Sequence, residues 1–204
     1  MEEPEKKVLG FHQMNLDDRI LKAIAKLGWM TPTLIQEKGI PIILEGKDVL
    51  ARGRTGSGKT AVFAIPIIQK ILIEKQSAKE QVTRALVLAP TKELCQQLHK
   101  AFHSLTSSCS RDIRCVDIAS QVWSNILYFN FNSQPLTILQ AEPSAQKALL
   151  AEHPDIVVST PTRVLPHLKS ENLLLKESLQ FLIIDEADLV FSFGFEQDMK
   201  NILE

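Results

Sequence analysis

The chain has 204 residues, of which 45% are hydrophobic, and a formal net charge of −1. This length fits one α/β domain with a substantial core, and the balanced charge excludes a global basic field that would attract nucleic acid. The three cysteines form no C-x-x-C pair and the first residues are charged, so the sequence predicts a reducing compartment rather than a secreted, disulfide-bonded protein.

Two helices are predicted near the start of the chain. Apolar residues at helical spacing predict the first over residues 16–27, where Gly28 ends it, and the second follows over residues 33–44. A short apolar run at residues 48–51 predicts the first strand, and residues 61–73 form the third predicted helix.

Strands and helices alternate along the rest of the chain. The predicted strands are residues 85–89, 113–119, 156–159 and 181–185, and the predicted helices are residues 92–105, 144–152, 163–168 and 196–203. Such alternation predicts a parallel sheet with helices on both faces, and right-handed crossovers bring the carboxyl ends of all its strands to one edge. We expect the polar residues that follow the strands to gather at this edge.

A glycine-rich loop lies between the first predicted strand and the third predicted helix. Residues 53–60, GRTGSGKT, match the phosphate-binding pattern G-x-x-x-x-G-K-[ST]. In this pattern backbone N–H groups converge on phosphate oxygens, a lysine reaches the β- and γ-phosphates, and a hydroxyl faces Mg²⁺. A glycine-rich turn that fits by accident is the alternative. The expected nucleotide contacts are Arg54, Thr55, Gly56, Ser57, Gly58, Lys59 and Thr60.

Two adjacent acids follow the last predicted strand. In LIIDEAD, residues 182–188, an apolar run ends in Asp185 and Glu186. Nucleotide hydrolysis needs one carboxylate to hold Mg²⁺ through water and another to polarise the attacking water, and we assign these roles to Asp185 and Glu186. Together with Lys59 they are the predicted catalytic residues. The alternative is a solvated helix start, where acids are also favoured.

These motifs resemble those of the DEAD-box RNA helicases along nearly the whole chain. Besides DEAD at residues 185–188, the segment GWMTPTLIQ at residues 28–36 resembles the adenine-reading motif of that family. Two further segments, APTKEL at residues 89–94 and TPTR at residues 160–163, resemble its RNA-contacting motifs.

The resemblance implies a RecA-like P-loop domain over residues 31–204 that binds ATP and Mg²⁺, after a flank at residues 1–30. In the family pattern, Phe11 would lie over the adenine ring, and Thr33 and Gln36 would also contact the nucleotide. The Gln36 amide can donate and accept at once, which matches the hydrogen-bonding edge of adenine. Alternatively, Phe11 packs on the following helix and Gln36 is a plain surface residue.

The resemblance also implies RNA contacts at the ends of two strands. Hydroxyl and backbone N–H groups there would bind RNA phosphates without reading the base sequence. Thr162 replaces the glycine that is usual in the second motif, where a β-branched residue could obstruct a close contact or a positive φ. Gly53 replaces the alanine that is usual in the phosphate loop. The predicted RNA contacts are Pro90, Thr91, Lys92, Glu93, Thr160, Pro161 and Arg163.

The amino-acid sequence of residues 185–195 is similar to that of nucleolar family members that assist assembly of the large ribosomal subunit. The resemblance implies a monomer in the nucleus or nucleolus, no membrane contact, and a second RecA-like lobe with arginine fingers, which these 204 residues lack. Because an arginine finger contributes about 10³–10⁵ in rate, we expect this chain to bind ATP and hydrolyse it very slowly. Two other classes stay open: a stand-alone, non-catalytic ATP- or RNA-binding module, and a P-loop ATPase acting on DNA or protein.

A segment at residues 121–142 breaks the alternation. Residues 121–141 contain no Asp, Glu, Lys or Arg but hold four aromatic residues, Trp123, Tyr128, Phe129 and Phe131. The family usually has a shorter connection here, so we interpret the segment as an insertion. Three interpretations stay open. The segment is an arm whose aromatic side chains bind RNA or a partner, an added strand or loop that packs on the domain, or translated non-coding sequence.

The remaining polar residues give weaker signals. The isolated histidines, among them His167, indicate no site. Scattered arginines such as Arg111 and Arg114 are either RNA contacts or plain surface.

Overall fold

The computed structural model describes residues 9–77, 80–120 and 143–204, so the predicted insertion at residues 121–142 lies outside the described residues. One sheet is formed by the strands β1 Ala85–Leu88, β2 Cys115–Asp117, β3 Ile156–Ser159 and β4 Phe181–Ile184. Its spatial order is β2-β3-β1-β4, and all neighbouring strands are parallel. The α/β fold class and these four strands are confirmed.

Helices accompany the sheet throughout the described ranges. They are α1 Asp18–Lys26, α2 Leu34–Leu44, α3 Lys59–Glu74, α4 Lys92–Leu105, α5 Pro143–Ala151, α6 Pro161–Lys169, α7 Ala187–Ser192 and α8 Glu196–Leu203, and a 3-10 turn spans Phe11–Gln13. The predicted helices are confirmed, although α3 begins at Lys59 rather than at residue 61. Helix α7 was not predicted, because six residues are too few for a helical period to emerge. None of these helices has the length and apolar character that crossing a membrane requires.

Side chains at alternate positions of the strands belong to two separate cores, since successive residues of a strand point to opposite faces. Val87 lies in one core with side chains of α1 to α4, including Ile20, Ile40 and Phe102. Its neighbour Leu88 lies in a second core with side chains of α5 to α8, including Leu150, Val164 and Met199. The inner strands β1 and β3 are therefore buried on both faces, as the continuous apolar runs predict.

The strand predicted at residues 48–51 is wrong. Residues 47–54 form neither helix nor strand, and Leu50 is 99% exposed. An apolar run becomes a strand only when a neighbour pairs with its backbone. Strand β4 is half-buried and has no outer neighbour in the described sheet, so nothing there pairs with residues 48–51. The phosphate-binding pattern therefore follows an exposed segment without regular structure.

A buried charge network joins the amino ends of the strands. Asp155 precedes β3 and is fully buried. Its carboxylate accepts hydrogen bonds from Lys75 Nζ at 2.8 Å, Gln81 Nε2 at 3.0 Å, Arg84 Nη1 at 3.3 Å and the backbone N–H of Arg114 at 2.9 Å. Because Arg84 precedes β1 and Arg114 precedes β2, one carboxylate connects three strands.

Arg84 extends this network to β4. Its Nε donates to Glu74 Oε2 at 3.2 Å, and the same oxygen accepts from Nε2 of Gln180, the residue before β4, at 2.7 Å. The network lies at the amino edge of the sheet, opposite the carboxyl edge where we expect the functional site. Arg114 lies at this edge and its side chain pairs with that of Glu152, so the plain-surface alternative accounts for its position and a contact with RNA stays a prediction.

Candidate functional site

The carboxyl edge of the sheet gathers polar residues from three neighbouring strands. Asp185 directly follows β4, Thr160 directly follows β3, and Thr91 lies just beyond β1. The Asp185 N–H donates to Leu88 O at 2.8 Å, which holds the end of β4 against the end of β1. Because β3, β1 and β4 are adjacent, these residues lie along one edge, as the alternation predicts.

The phosphate-binding loop requires glycine at its apex. Gly56 and Gly58 have φ of 79° and 91°, in the left-handed region that residues with a Cβ rarely adopt. A Cβ at Gly58 would lie 2.4 Å from Gln36 Nε2, so this position also lacks room for a side chain. Helix α3 begins at the next residue, Lys59, and its unpaired N-terminal N–H groups therefore lie at the loop.

The start of α2 holds the loop in place. Thr33 Oγ1 donates to Ser57 O at 2.9 Å, and Gln36 Nε2 donates to Gly58 O at 3.3 Å. Gln36 Oε1 accepts from the Thr33 N–H at 2.9 Å, and the side chain is only 4% exposed. Gln36 is therefore not a plain surface residue. Its amide keeps one N–H and one lone pair for a further partner.

Lys59 connects the loop to the acids that follow β4. Its Nζ donates to Gly53 O at 2.6 Å and lies 3.7 Å from Glu186 Oε1. Asp185 is the neighbouring residue at the end of β4. The structure thus brings the three residues predicted to be catalytic to one place.

The two acids have unusual surroundings. Burial, with the charge of Glu186 as the next cause, raises the pKa of the Asp185 carboxyl above its ordinary value. Glu186 has φ 47° and ψ 51°, a left-handed conformation that is strained for a residue with a Cβ. Strained backbone of this kind persists where the surrounding structure enforces it, often at functional sites.

The loop also contains a buried hydroxyl without a partner. Ser57 Oγ is buried and forms no hydrogen bond with any described residue. Such an atom is costly unless a ligand or water meets it. Thr60 is half-buried in the first turn of α3, whereas Arg54 and Thr55 are exposed. Backbone N–H groups, an ammonium, hydroxyls and carboxylates in one place fit a nucleoside triphosphate with a divalent cation.

The residues predicted to contact RNA form the starts of α4 and α6. Thr91 is the N-cap of α4, where its Oγ accepts from the Leu94 N–H at 3.3 Å and its hydroxyl proton can still be donated. Thr160 is the N-cap of α6, and its side chain makes no capping hydrogen bond. Pro90 and Pro161 are buried behind these caps, and the exposed members of the set are Lys92, Glu93 and Arg163.

Thr162 does not need the positive φ expected at a glycine position. It lies in the first turn of α6 after Pro161, and it is not among the described residues with positive φ. Its Oγ1 donates to Asp198 Oδ2 in α8 at 2.8 Å. The expected conflict between Thr162 and a positive φ is therefore wrong. The Thr162 hydroxyl instead connects the second RNA-contacting motif to α8. Asp198 was missed because 36 residues separate it from Thr162.

Phe11 is placed in the core. Its side chain is 3% exposed and belongs to the cluster that includes Met14, Leu16 and Ile20. The packing alternative accounts for this burial, and the contact with adenine stays a prediction.

The sequence was compared with family models and with known proteins, and both comparisons found matches. The sequence model described as DEAD/DEAH box helicase matches residues 33–204. The chain is similar to the probable ATP-dependent RNA helicase ddx56 of Dictyostelium discoideum, with 41% identity over 192 residues, and to the ATP-dependent RNA helicase dbp9 of Sclerotinia sclerotiorum, also with 41% identity over 192 residues. It is 44% identical over 194 residues to the ATP-dependent RNA helicase DBP9 of Cryptococcus neoformans.

These similarities cover most of this chain and a small part of each relative. The three alignments span 94%, 94% and 93% of this chain but 25%, 28% and 28% of the respective relatives. The chain therefore spans about a quarter of the length of the curated relatives it matches.

Proposed function

Because the chain belongs to the DEAD/DEAH box helicase family, we propose that it is the ATP- and RNA-binding lobe of an ATP-dependent RNA helicase. The observation that carries this proposal is the convergence of a phosphate-loop lysine with two acids. Lys59 Nζ lies 3.7 Å from Glu186 Oε1, beside Asp185 at the end of β4. Phosphoryl transfer uses such a lysine to bind phosphate oxygens and such acids to hold a metal ion and position water.

Each residue of the proposed nucleotide site has a distinct part. The N-terminal N–H groups of α3 and Lys59 Nζ bind the phosphates, and Ser57 Oγ gains a partner. Thr60, and Asp185 mainly through water, would hold Mg²⁺, which when bound would neutralise phosphate charge. Burial raises the pKa of Asp185, and a bound cation would favour its ionised form instead. Glu186 orients water and accepts its proton as general base.

In this proposal Gln36 connects base recognition to the loop. One N–H of its amide is used by Gly58 O and one lone pair by the Thr33 N–H. The second N–H and the second lone pair are the donor and acceptor for the adenine edge. Phe11 contributes an apolar neighbour for the ring.

The wider activity follows from the relatives and from the second set of motifs. We propose that Thr91, Thr160 and Arg163 bind RNA phosphates, which gives binding without base specificity. The relatives are named ATP-dependent RNA helicases and are much longer than this chain. We therefore propose that a second RecA-like lobe completes a monomeric enzyme in the full-length protein. From the resemblance of residues 185–195 to nucleolar members of the family, we propose that the full-length protein acts in ribosome assembly, in the nucleus or nucleolus.

The nucleotide part is tested by calorimetric titration of the chain with ATP and GTP in the presence of MgCl₂. We expect ATP to bind more tightly than GTP, and phosphate release to be very slow. Gln36→Ala should reduce the ratio of the two affinities by about 5- to 100-fold, the value of one bidentate base contact. Gln97→Ala, which removes an exposed amide from α4, is the matched control.

The outcome separates two roles of Gln36. Equal losses for ATP and GTP would mean that the side chain only positions the loop. Failure of the unaltered chain to bind ATP would contradict the proposed function.

A further inference from the structure

We propose that Gly53 determines how tightly the phosphate-binding loop binds ATP, because the missing side chain leaves a space in which the Ser57 hydroxyl is withdrawn from a ligand. This inference rests on the nucleotide-binding role proposed above. Gly53 is the first residue of the loop, and Ser57 lies between the two glycines with positive φ, Gly56 and Gly58. The loop in this conformation must rearrange at Ser57 before it binds a phosphate group.

Both backbone groups of Ser57 are bound to the protein itself. Its N–H donates to Arg54 O at 3.2 Å, and its carbonyl oxygen accepts from Thr33 Oγ1 at 2.9 Å. The backbone N–H groups of such a loop are the donors that a phosphate group needs. The N–H of Ser57 is therefore engaged within the loop, and a phosphate oxygen has to compete with Arg54 O for it.

The hydroxyl of Ser57 is withdrawn as well. Its Oγ is buried and has no hydrogen-bond partner among the described residues. Because this atom is buried, a phosphate oxygen cannot reach it until the side chain or the loop moves. An unpaired buried hydroxyl destabilises the conformation that contains it, so the withdrawn position is occupied only because the surrounding atoms leave room for it.

Gly53 provides that room. A Cβ added at Gly53 would lie 2.9 Å from Ser57 Oγ, which is too short for a contact between carbon and oxygen, so the hydroxyl would have to leave. The next atom, Ile35 Cδ1, would be 3.3 Å away and is the end of a flexible side chain, so a small shift accommodates it. Gly53 is not among the described glycines with positive φ, and its backbone therefore accepts alanine.

Alanine at position 53 should therefore strengthen ATP binding. A ligand that binds only one conformation has an apparent affinity reduced by the fraction of the chain in that conformation, and the added methyl group disfavours the withdrawn one. We expect Gly53→Ala to bind ATP about two- to tenfold more tightly, the range to which one forced change of rotamer corresponds. The sign is opposite to that at Gly58, where an added Cβ meets Gln36 at a positive φ.

A double-mutant cycle tests whether the Ser57 hydroxyl carries this effect. Calorimetric titration with ATP and MgCl₂ compares the unaltered chain, Gly53→Ala, Ser57→Ala and the double variant, and thermal melting verifies that all four fold. Ser57→Ala removes the atom that the added Cβ meets at 2.9 Å. In that background Gly53→Ala should change the affinity by less than about twofold, the limit within which uncoupled substitutions add. Lower flexibility of alanine at position 53 would act equally in both backgrounds, so the cycle isolates the contact with Oγ.

The outcomes distinguish this inference from the proposed function. If the unaltered chain binds ATP and Gly53→Ala binds it equally or more weakly, the role of Gly53 is refuted and the nucleotide site survives. A gain of the same size in the Ser57→Ala background would also refute it, since the hydroxyl would then play no part. Absence of ATP binding by all four chains would overturn both the inference and the proposed function.

Discussion

Lys59 begins helix α3 and Lys75 follows its last residue, and the two ammonium groups have different surroundings. Lys75 donates to the fully buried carboxylate of Asp155 at 2.8 Å, at the amino edge of the sheet. Lys59 lies at the carboxyl edge, where it reaches the carbonyl of Gly53 at 2.6 Å and Glu186 at 3.7 Å. One helix thus connects a charge network closed by protein groups to a cluster that is open to a ligand.

The difference separates an edge that stabilises the sheet from an edge that carries the proposed nucleotide site. At the amino edge, Asp155 accepts from three side chains and one backbone N–H. At the carboxyl edge, Asp185 has a raised pKa, Glu186 has a strained backbone and Ser57 Oγ has no partner. Unmet interactions cost stability at a binding site, and they are tolerated where the rest of the fold compensates.

The largest effect is expected from breaking the closed network. Asp155→Asn should lower the free energy of unfolding by about 3–5 kcal/mol, because it removes the buried carboxylate that Arg84 and Lys75 share and leaves Arg84 only its pair with Glu74. Chemical denaturation measures this loss. The control is Asp112→Asn, which breaks an exposed pair with Arg19 and should cost about 0–1 kcal/mol. Equal losses in the two variants would mean that the network does not stabilise the sheet.

A smaller effect, a loss of ATP affinity, is expected from adding a side chain inside the phosphate-binding loop. Gly58→Ala adds a Cβ that meets Gln36 Nε2 at 2.4 Å, at a φ of 91°. ATP affinity should fall about 10- to 100-fold, since strain of this kind costs about 1–3 kcal/mol and the loop must move. Gly46→Ala is the matched control, because Gly46 has φ 79° and no atom within 4 Å of the added Cβ. It should lose some stability and keep its affinity; a similar loss of affinity in both variants would refute a specific role for the space at Gly58.

The smallest expected effect is a gain in stability rather than a loss. The raised pKa of Asp185 means that the folded chain holds this proton more tightly than the unfolded chain. Stability is therefore lost as pH rises from 3.8 through the folded-state pKa, and Asp185→Asn should be more stable than the unaltered chain at pH 7. The gain should be below about 1 kcal/mol, because the carboxyl is partly exposed. Denaturation between pH 4 and 8 should show the gain shrinking towards low pH, and a gain that is independent of pH would contradict this cause.

Local signals predicted the carboxyl edge well. Asp185 directly follows strand β4, and Lys59 of the phosphate loop begins α3, so both places could be located from short continuous segments. The strand at residues 48–51 was wrong because pairing depends on a neighbour, and the sequence gives no sign that β4 lacks one in the described sheet. The left-handed Glu186 is likewise imposed by tertiary structure rather than by its residue type.

The amino edge escaped prediction for a different reason. Asp155 and Lys75 are 80 residues apart, and Gln180 and Glu74 are 106 residues apart. No periodicity or motif connects residues at such separations. The pairing of His167 with Gln146 was missed in the same way, across 21 residues.

The central claim is that the two edges have separate tasks, and the two lysines of α3 test it most directly. Calorimetric titration with ATP and MgCl₂, followed by thermal melting of the same samples, compares Lys59→Ala with Lys75→Ala. We predict that Lys59→Ala loses ATP binding and keeps its melting temperature. In contrast, Lys75→Ala should keep its ATP affinity and melt about 6–12 °C lower. This shift corresponds to a loss of about 3 kcal/mol in the free energy of unfolding, since each kcal/mol lowers the melting temperature of a chain of this size by roughly 2–4 °C. ATP binding by Lys59→Ala at the affinity of the unaltered chain, or equal loss of binding in both variants, would contradict it.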